Sequence, residues 1–387
     1  MPVWLGVFLF LVALAGYTGV LRLLGVNQYL SWITAILIQI LMLYGFAMIG
    51  QLRMGIWVTL GLGWFSFGGR WLMLLTGKGK LPYEGVHSYD LWFLVMGIIM
   101  AIVLWQSPLI HYDNYSHWAL IVKFLFYTGH LPGAADTIIS FTSYPPALAL
   151  FLTSFVTLAG FGAGAMLVAQ FMVIWAALYT IFGLLRDRSR VLMAMILCFV
   201  VALTNVFNIA IRFNNLLVDF VLPALTLAGI AGTYLYRQRW GWQCFHVFLV
   251  SAGLLLVKNS GAFFVAVIAL CFIDQLIRTS HGRWWWRGLK VLGTGIGTVA
   301  LSAVPFLIWQ YHVKHTFTES KHEISSQAYA QQLDGESTQT MLRIGHKFIT
   351  HILSWNSLAT KGFVLINVTL LVAWLVIRLI CKKKNHL

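Results

Sequence analysis

ALALFLTSFVTLAGFGAGAMLVAQFMVIWAALYTIFGLLRDRSR, from Ala147 to Arg190, holds two apolar runs, 147–161 and 165–185, followed by a burst of arginine. A helix needs about 20 apolar residues to cross a bilayer. The second run meets that length and the first does not. Arg186 to Arg190 marks a cytoplasmic loop, because basic residues in short loops stay inside. The loop after Leu109 falls on the outer side, so only one crossing separates the two. The run 147–161 is therefore predicted as a juxtamembrane or re-entrant helix on the outer face. Pro145-Pro146 suits its first turn, where proline costs no hydrogen bond.

Apolar runs of crossing length recur outward from this stretch. Spans are predicted near 3–22, 29–50, 54–76 and 89–109, and near 165–185, 191–210, 217–235, 244–257, 261–277, 290–311 and 362–381, about eleven in all. The fold class is an all-α polytopic membrane protein, with outer-face juxtamembrane helices besides the spans. The segment 114–127, rich in Phe, Trp and Tyr, is predicted to lie along the membrane surface. Composition agrees: the 387 residues are 60% hydrophobic and only 10% charged, with a mean hydropathy of +0.82. A soluble chain of this length exposes far more charge. A membrane β-barrel shows alternating segments of about ten residues, and none dominates here.

The chain is read as a single integral membrane domain, 1–387. Its N-terminal spans occupy 1–109, and the first long outer loop with its juxtamembrane helices 110–162. Central spans occupy 163–311, an outer C-terminal loop 312–361, and the last span and basic cytoplasmic tail 362–387. This places the N-terminus outside and the C-terminus in the cytoplasm. The N-terminal run lacks a basic leader and a small-residue cleavage site, so it reads as a retained span.

Net charge is +15. In a soluble protein that points to nucleic acid. Here the basic residues sit in short loops (77–80, 186–190, 237–243 and 278–290) and in the tail, where they set topology and meet anionic lipid. Nucleic acid is therefore not an expected partner. Trp284 to Trp286, flanked by Arg283 and Arg287, reads as an interfacial anchor. Cys198, Cys244, Cys271 and Cys381 show no paired spacing, so neither a disulfide framework nor a zinc site is expected. His312, His315, His322, His346 and His351 lack a second fixed pair, and no metal is predicted.

Candidate chemistry gathers in HYDNYSHWALIVKFLFYTGHLPGAADTIISFTSYPP, His111 to Pro146. Asp113 lies just past a span, and a carboxylate there needs a reason. It is placed either to take a proton as a general base or to cap the helix that starts near Asn114. Arg212 and Asp219 flank a span start in IRFNNLLVDF. Arg212 suits a phosphate clamp or interfacial snorkelling. Asp219 needs a partner, with Lys258 and Arg212 the candidates. Lys258 interrupts the apolar stretch 244–277 at Lys258-Asn259-Ser260-Gly261, where it meets an anion or snorkels.

The order of these features resembles the GT-C superfamily of membrane glycosyltransferases, which includes protein O-mannosyltransferases and lipid A aminoarabinose transferases. YDNYSHWALIVKF is similar to their Asp-Glu-x-Ser-His-Trp pattern with a following Lys. SYPPALAL is similar to their Asp-Tyr-Pro-Pro-Leu, and LLVKNSGAFF to their Leu-x-Lys-Asn-Glu-Gly. NNLLVDF falls where they carry an outer-side Asp. The likeness covers about residues 90–270. It implies an inverting glycosyltransferase of a bacterial cytoplasmic membrane, with a polyprenyl-phosphate-linked sugar as donor. The acceptor is a cell-wall glycopolymer, a glycolipid or a protein. Asp113 takes the role of catalytic base. His117, Lys123, Tyr144, Arg212, Asp219, Lys258 and Asn259 become substrate-binding candidates, with Lys123, Arg212 and Lys258 for the lipid phosphate. Two family glutamates are replaced, by Asn114 and Ser260, which argues against a metal; no cofactor is expected. The alternatives are a transporter or flippase for a lipid-linked envelope precursor, and a non-catalytic membrane subunit. Transporters of that kind carry paired broken helices, and only one polar hinge, at Lys258, is present.

Overall fold

The computed structural model describes residues 2–77, 85–185, 187–188, 191–207, 213–280, 284–317 and 338–353, with a few positions between 364 and 376. Among these residues the chain is helical and contains no strand. The helices are α1 (Val3–Leu23), α2 (Gln28–Met48), α3 (Leu52–Leu75), α4 (Ser88–Trp105), α5 (Ala119–Thr128), α6 (Ala147–Ala159) and α7 (Ala163–Tyr179). They continue with α8 (Val191–Phe207), α9 (Val221–Leu235), α10 (Trp240–Val257), α11 (Gly261–Thr279), α12 (Trp284–Thr316) and α13 (Thr338–Leu353). A π-helical turn, Asn114–Trp118, leads into α5, and a 3-10 turn, Thr180–Leu184, ends α7.

Seven helical stretches among the described residues are long and apolar enough to cross a membrane: Val3–Leu23, Gln28–Met48, Ser88–Trp105, Ala163–Leu184, Trp240–Val257, Gly261–Thr279 and Val291–Thr316. The chain is thus an all-α protein with the helices of a multi-pass membrane protein. Three other predicted spans form helices outside this set. α3 has 24 residues, but glycine, tryptophan and two arginines dilute its apolar character. α8 and α9, with 17 and 15 residues, are short. The predicted span 362–381 lies outside the described helices.

Contacts divide the chain into two units. One comprises Met1–Val201 and Phe213–His322; the other comprises Ala202–Arg212 and Glu323–Leu387. In the second unit the main described element is α13, an amphipathic helix that exposes Leu342, Ile344 and Ile349.

In the first unit, helices pack through small residues. A Cβ on Gly16 of α1 would run into the carbonyl oxygen of Gly63 on α3. Lipid offers no hydrophobic drive between spans, so close backbone approach of this kind has to supply the contact.

The run 147–161, expected as a juxtamembrane or re-entrant helix, is enclosed by protein. In α6 every residue except Thr157 is buried. Phe151 and Phe155 close edge-on around Phe10 of α1, at 5.6 and 5.0 Å. A helix that is apolar all round must be enclosed by protein or lipid on every side, and here protein encloses it. The short helix is a half-length element inside the bundle. α5 also buries Ile121, Val122, Phe124 and Leu125, so only its other face is open. Phe126 and Tyr127, at the end of α5, meet Phe161 just beyond α6.

Alternating helices give the bundle two ends. One carries the loops 106–146, 213–220 and 258–260 and the last turns of α12, joined by contacts such as Trp309 Nε1 to the Ser143 carbonyl at 3.0 Å. The other carries the α1–α2 and α9–α10 loops, joined where the Asn27 amide donates to Tyr236 Oη at 2.9 Å.

Candidate functional site

Three breaks in helical structure meet at the first of these ends. The first is the turn after α10. Lys258 leaves the helix in extended conformation (φ −161°, ψ 149°), and the Gly261 amide closes the turn onto the Lys258 carbonyl at 2.8 Å. Only glycine fits at 261, because a Cβ would strike the backbone carbonyl of Leu254. The turn sends the Lys258 side chain to the 213–220 segment, where Nζ donates to Asp219 Oδ1 at 3.0 Å. Asp219 is paired with Lys258, one of the two partners its sequence context allowed. Arg212 lies outside the described residues.

The second break, 213–220, is held by buried amides. Asn114 Oδ1 accepts from the Leu216 amide at 2.8 Å. Gln170 Nε2, two turns into α7, donates to the carbonyls of Asn215 at 3.0 Å and Leu217 at 3.4 Å. Non-helical backbone in an apolar bundle needs such partners, since lipid offers none.

The third break, the loop up to Pro146, supplies an aromatic stack. Phe141 lies on Tyr144 (5.7 Å, 14°) and Tyr144 on Trp118 (5.6 Å, 9°). Lys258 Nζ stands 5.9 Å from the Trp118 ring centre and 6.0 Å from that of Tyr144, at the edge of cation–π range. His117 is buried and meets Trp118, Phe141 and Tyr144 edge-on. Burial, and then the Lys258 charge, lower its pKa to about 4, so the ring is neutral. The Tyr144 phenol is pushed up, first by burial; Lys258 pulls it down while Asp219 and Asp113 push it up. Three charges thus act on one hydroxyl.

Asp113 occupies the cap position of the π turn, yet its side chain makes no capping hydrogen bond. Its own amide donates to His111 Nδ1 at 3.2 Å. Asp113 Oδ2 stands 3.7 Å from the same nitrogen, beyond hydrogen-bond length but within ion-pair distance. The carboxylate is 49% exposed, and no donor satisfies it among the described residues.

Asp113, His117, Tyr144, Asp219 and Lys258 are brought together, and Asn259 is buried in the same turn. Lys123 is not part of the group; it is exposed on α5. Below the stack lies a cavity of about 20 Å³, lined by His117, Trp118, Tyr144, Gln170 and Val257 among others. That is room for one water. A ligand larger than one water does not fit in it. His111, Asn114, Trp118, Phe141 and Gln170 complete the site without having been candidates. Of these only Gln170 carries a sequence signal, as a lone amide inside an apolar run. No cluster of three His, Cys, Asp or Glu side chains forms among the described residues.

No protein-family model, curated protein or solved structure matches the chain.

Proposed function

We propose that this chain is an inverting, GT-C-like glycosyltransferase that moves a sugar from a polyprenyl-phosphate carrier to an acceptor hydroxyl. The observation that carries the reading is the convergence of Asp113, Asp219 and Lys258 on Tyr144, beside an aromatic stack. An aromatic face suits the apolar face of a sugar ring, and a cation beside it suits a phosphate. Lys258 has three N–H donors, of which Asp219 takes one.

In this mechanism Asp113 takes the acceptor hydroxyl proton as the oxygen attacks the anomeric carbon. The bond from that carbon to the phosphate oxygen breaks, and polyprenyl phosphate leaves with the electron pair. Lys258 stabilises the charge that develops there. Attack opposite the leaving group inverts the anomeric centre. The site end faces outward, because Arg22, Arg237 and Arg239 lie at the other end and basic residues stay inside. The setting is a bacterial cytoplasmic membrane, with a cell-wall glycopolymer, glycolipid or protein as acceptor.

The test is transfer of labelled sugar from polyprenyl phosphate by the purified full-length protein, comparing wild type with Asp113→Asn. The expected loss is at least about a hundredfold, the lower range for a missing general base. Equal rates would remove Asp113 from the mechanism. Transport of the intact donor without transfer would overturn the reading in favour of a flippase.

A further inference from the structure

The other end of the bundle holds a larger space. The α1–α2 loop, the end of the 3-10 turn after α7 and the α9–α10 loop enclose a cavity of about 750 Å³. Arg22, Arg237 and Arg239 line it, with no Asp or Glu among the described lining residues. Gln28 Oε1 accepts from Arg22 Nη2 at 3.1 Å, and the Gly25 carbonyl accepts from Arg239 Nη1 at 3.3 Å. These bonds fix two of the guanidinium groups at the cavity wall. Among the described residues no carboxylate lies within ion-pair distance of Arg237 or Arg239. The like charges of Arg237 and Arg239 at one wall repel each other, and an anion placed between them removes that cost. The rest of the wall is mixed. Leu184, Leu185, Ile230 and Leu235 make it apolar, and Tyr234 stands at its edge, 40% exposed.

We propose that this cavity is a second binding site, specific for a phosphate group with net negative charge and separate from the Lys258 cluster. Guanidinium forks match phosphate oxygens in pairs. Basic pockets between membrane helices on the cytoplasmic side take the head groups of anionic lipids, and the leucines suit the start of an acyl chain. A phosphorylated solute presents the same group without the chain.

The two sources separate in one experiment. Purified full-length protein in neutral detergent is titrated by calorimetry with short-chain phosphatidylglycerol, short-chain phosphatidylcholine and inorganic phosphate. Phosphatidylglycerol is expected to bind at least about tenfold tighter than phosphatidylcholine, and Arg237→Gln to weaken it about tenfold. Arg237→Lys, which keeps the charge but loses the fork, is expected to recover only part of the affinity. Inorganic phosphate binding with the same dependence on Arg237 supports the site with a soluble ligand. If Arg237→Gln does not fold, wild type gives the answer through salt: raising it from about 0.05 to about 0.5 M weakens a charge-driven complex. Equal affinity for the two lipids without phosphate binding overturns the proposal. So does affinity indifferent to both salt and Arg237.

Discussion

Lys258 Nζ sits 3.0 Å from Asp219 Oδ1, and each residue lies in a segment that interrupts helical structure. The pair joins the turn after α10 to the 213–220 segment and holds the ammonium against Trp118 and Tyr144. Neither charge is free in water, with side chains 21% and 39% exposed. Removing the carboxylate alone strands a half-buried cation. Fully buried pairs lose several kcal/mol on such a change and surface pairs almost none. Asp219→Asn is therefore expected to cost about 2 kcal/mol, and the further change Lys258→Met to restore part of it. A double-mutant cycle of unfolding in detergent measures the coupling. Strictly additive losses would mean that the pair holds nothing together.

His117 gives stability an acid limb. Its pKa falls to about 4 in the fold, against about 6.5 in an unfolded chain. Between those values the unfolded chain binds the proton and the folded chain does not. Stability is then complete above about pH 6.5 and declines as pH falls toward 4, by up to about 3 kcal/mol. His117→Phe should flatten that part of the thermal-unfolding profile and leave the neutral-pH value less affected. An unchanged slope would assign the acid limb to other groups.

Trp309 latches the loop that carries Tyr144. Its indole is buried and donates to the Ser143 carbonyl at 3.0 Å. Trp309→Phe keeps an aromatic ring but removes this hydrogen bond, a cost of about 1 kcal/mol. Faster hydrogen exchange across 139–146, with little change in α1 to α3, is the expected signature.

Gly16 and Gly61 distinguish packing from propensity. A Cβ at Gly16 meets the α3 backbone, whereas one at Gly61 meets nothing within 4 Å. Gly16→Ala should cost about 2–3 kcal/mol, since α1 and α3 must part. Gly61→Ala should be neutral or slightly stabilising, by about 0.5 kcal/mol. Unfolding temperatures of the two variants check this directly.

The spans were legible because crossing a bilayer demands apolar length. The predicted 3–22 and 261–277 become Val3–Leu23 and Gly261–Thr279. α6 was legible only as a helix. Its length denied it a crossing, but its apolar girth, which buries it, reads the same for lipid and for protein. In the site, Lys258 and Asp219 stood out as charges in apolar surroundings, and each needed a partner. Trp118 and Phe141 did not stand out, since rings in such a loop equally suit the membrane interface, and Tyr144 was a candidate only through the family resemblance. Asn114 and Gln170 act on backbone far away in the chain, which no local pattern records.

Trp118 separates binding from chemistry in the proposed transferase. It is half-buried, lies flat against Tyr144 and faces Lys258. If the donor sugar rests on this stack, Trp118→Ala removes contact that is present in both the bound substrate and the transition state. Such a loss raises KM and leaves kcat nearly unchanged. About a tenfold rise in donor KM is expected, equivalent to about 1.4 kcal/mol, and Trp118→Phe should recover most of it. Asp113→Asn should do the reverse, lowering kcat with little effect on KM. A Trp118→Ala enzyme with unchanged donor KM would take the stack out of the binding surface and leave it a packing role around His117.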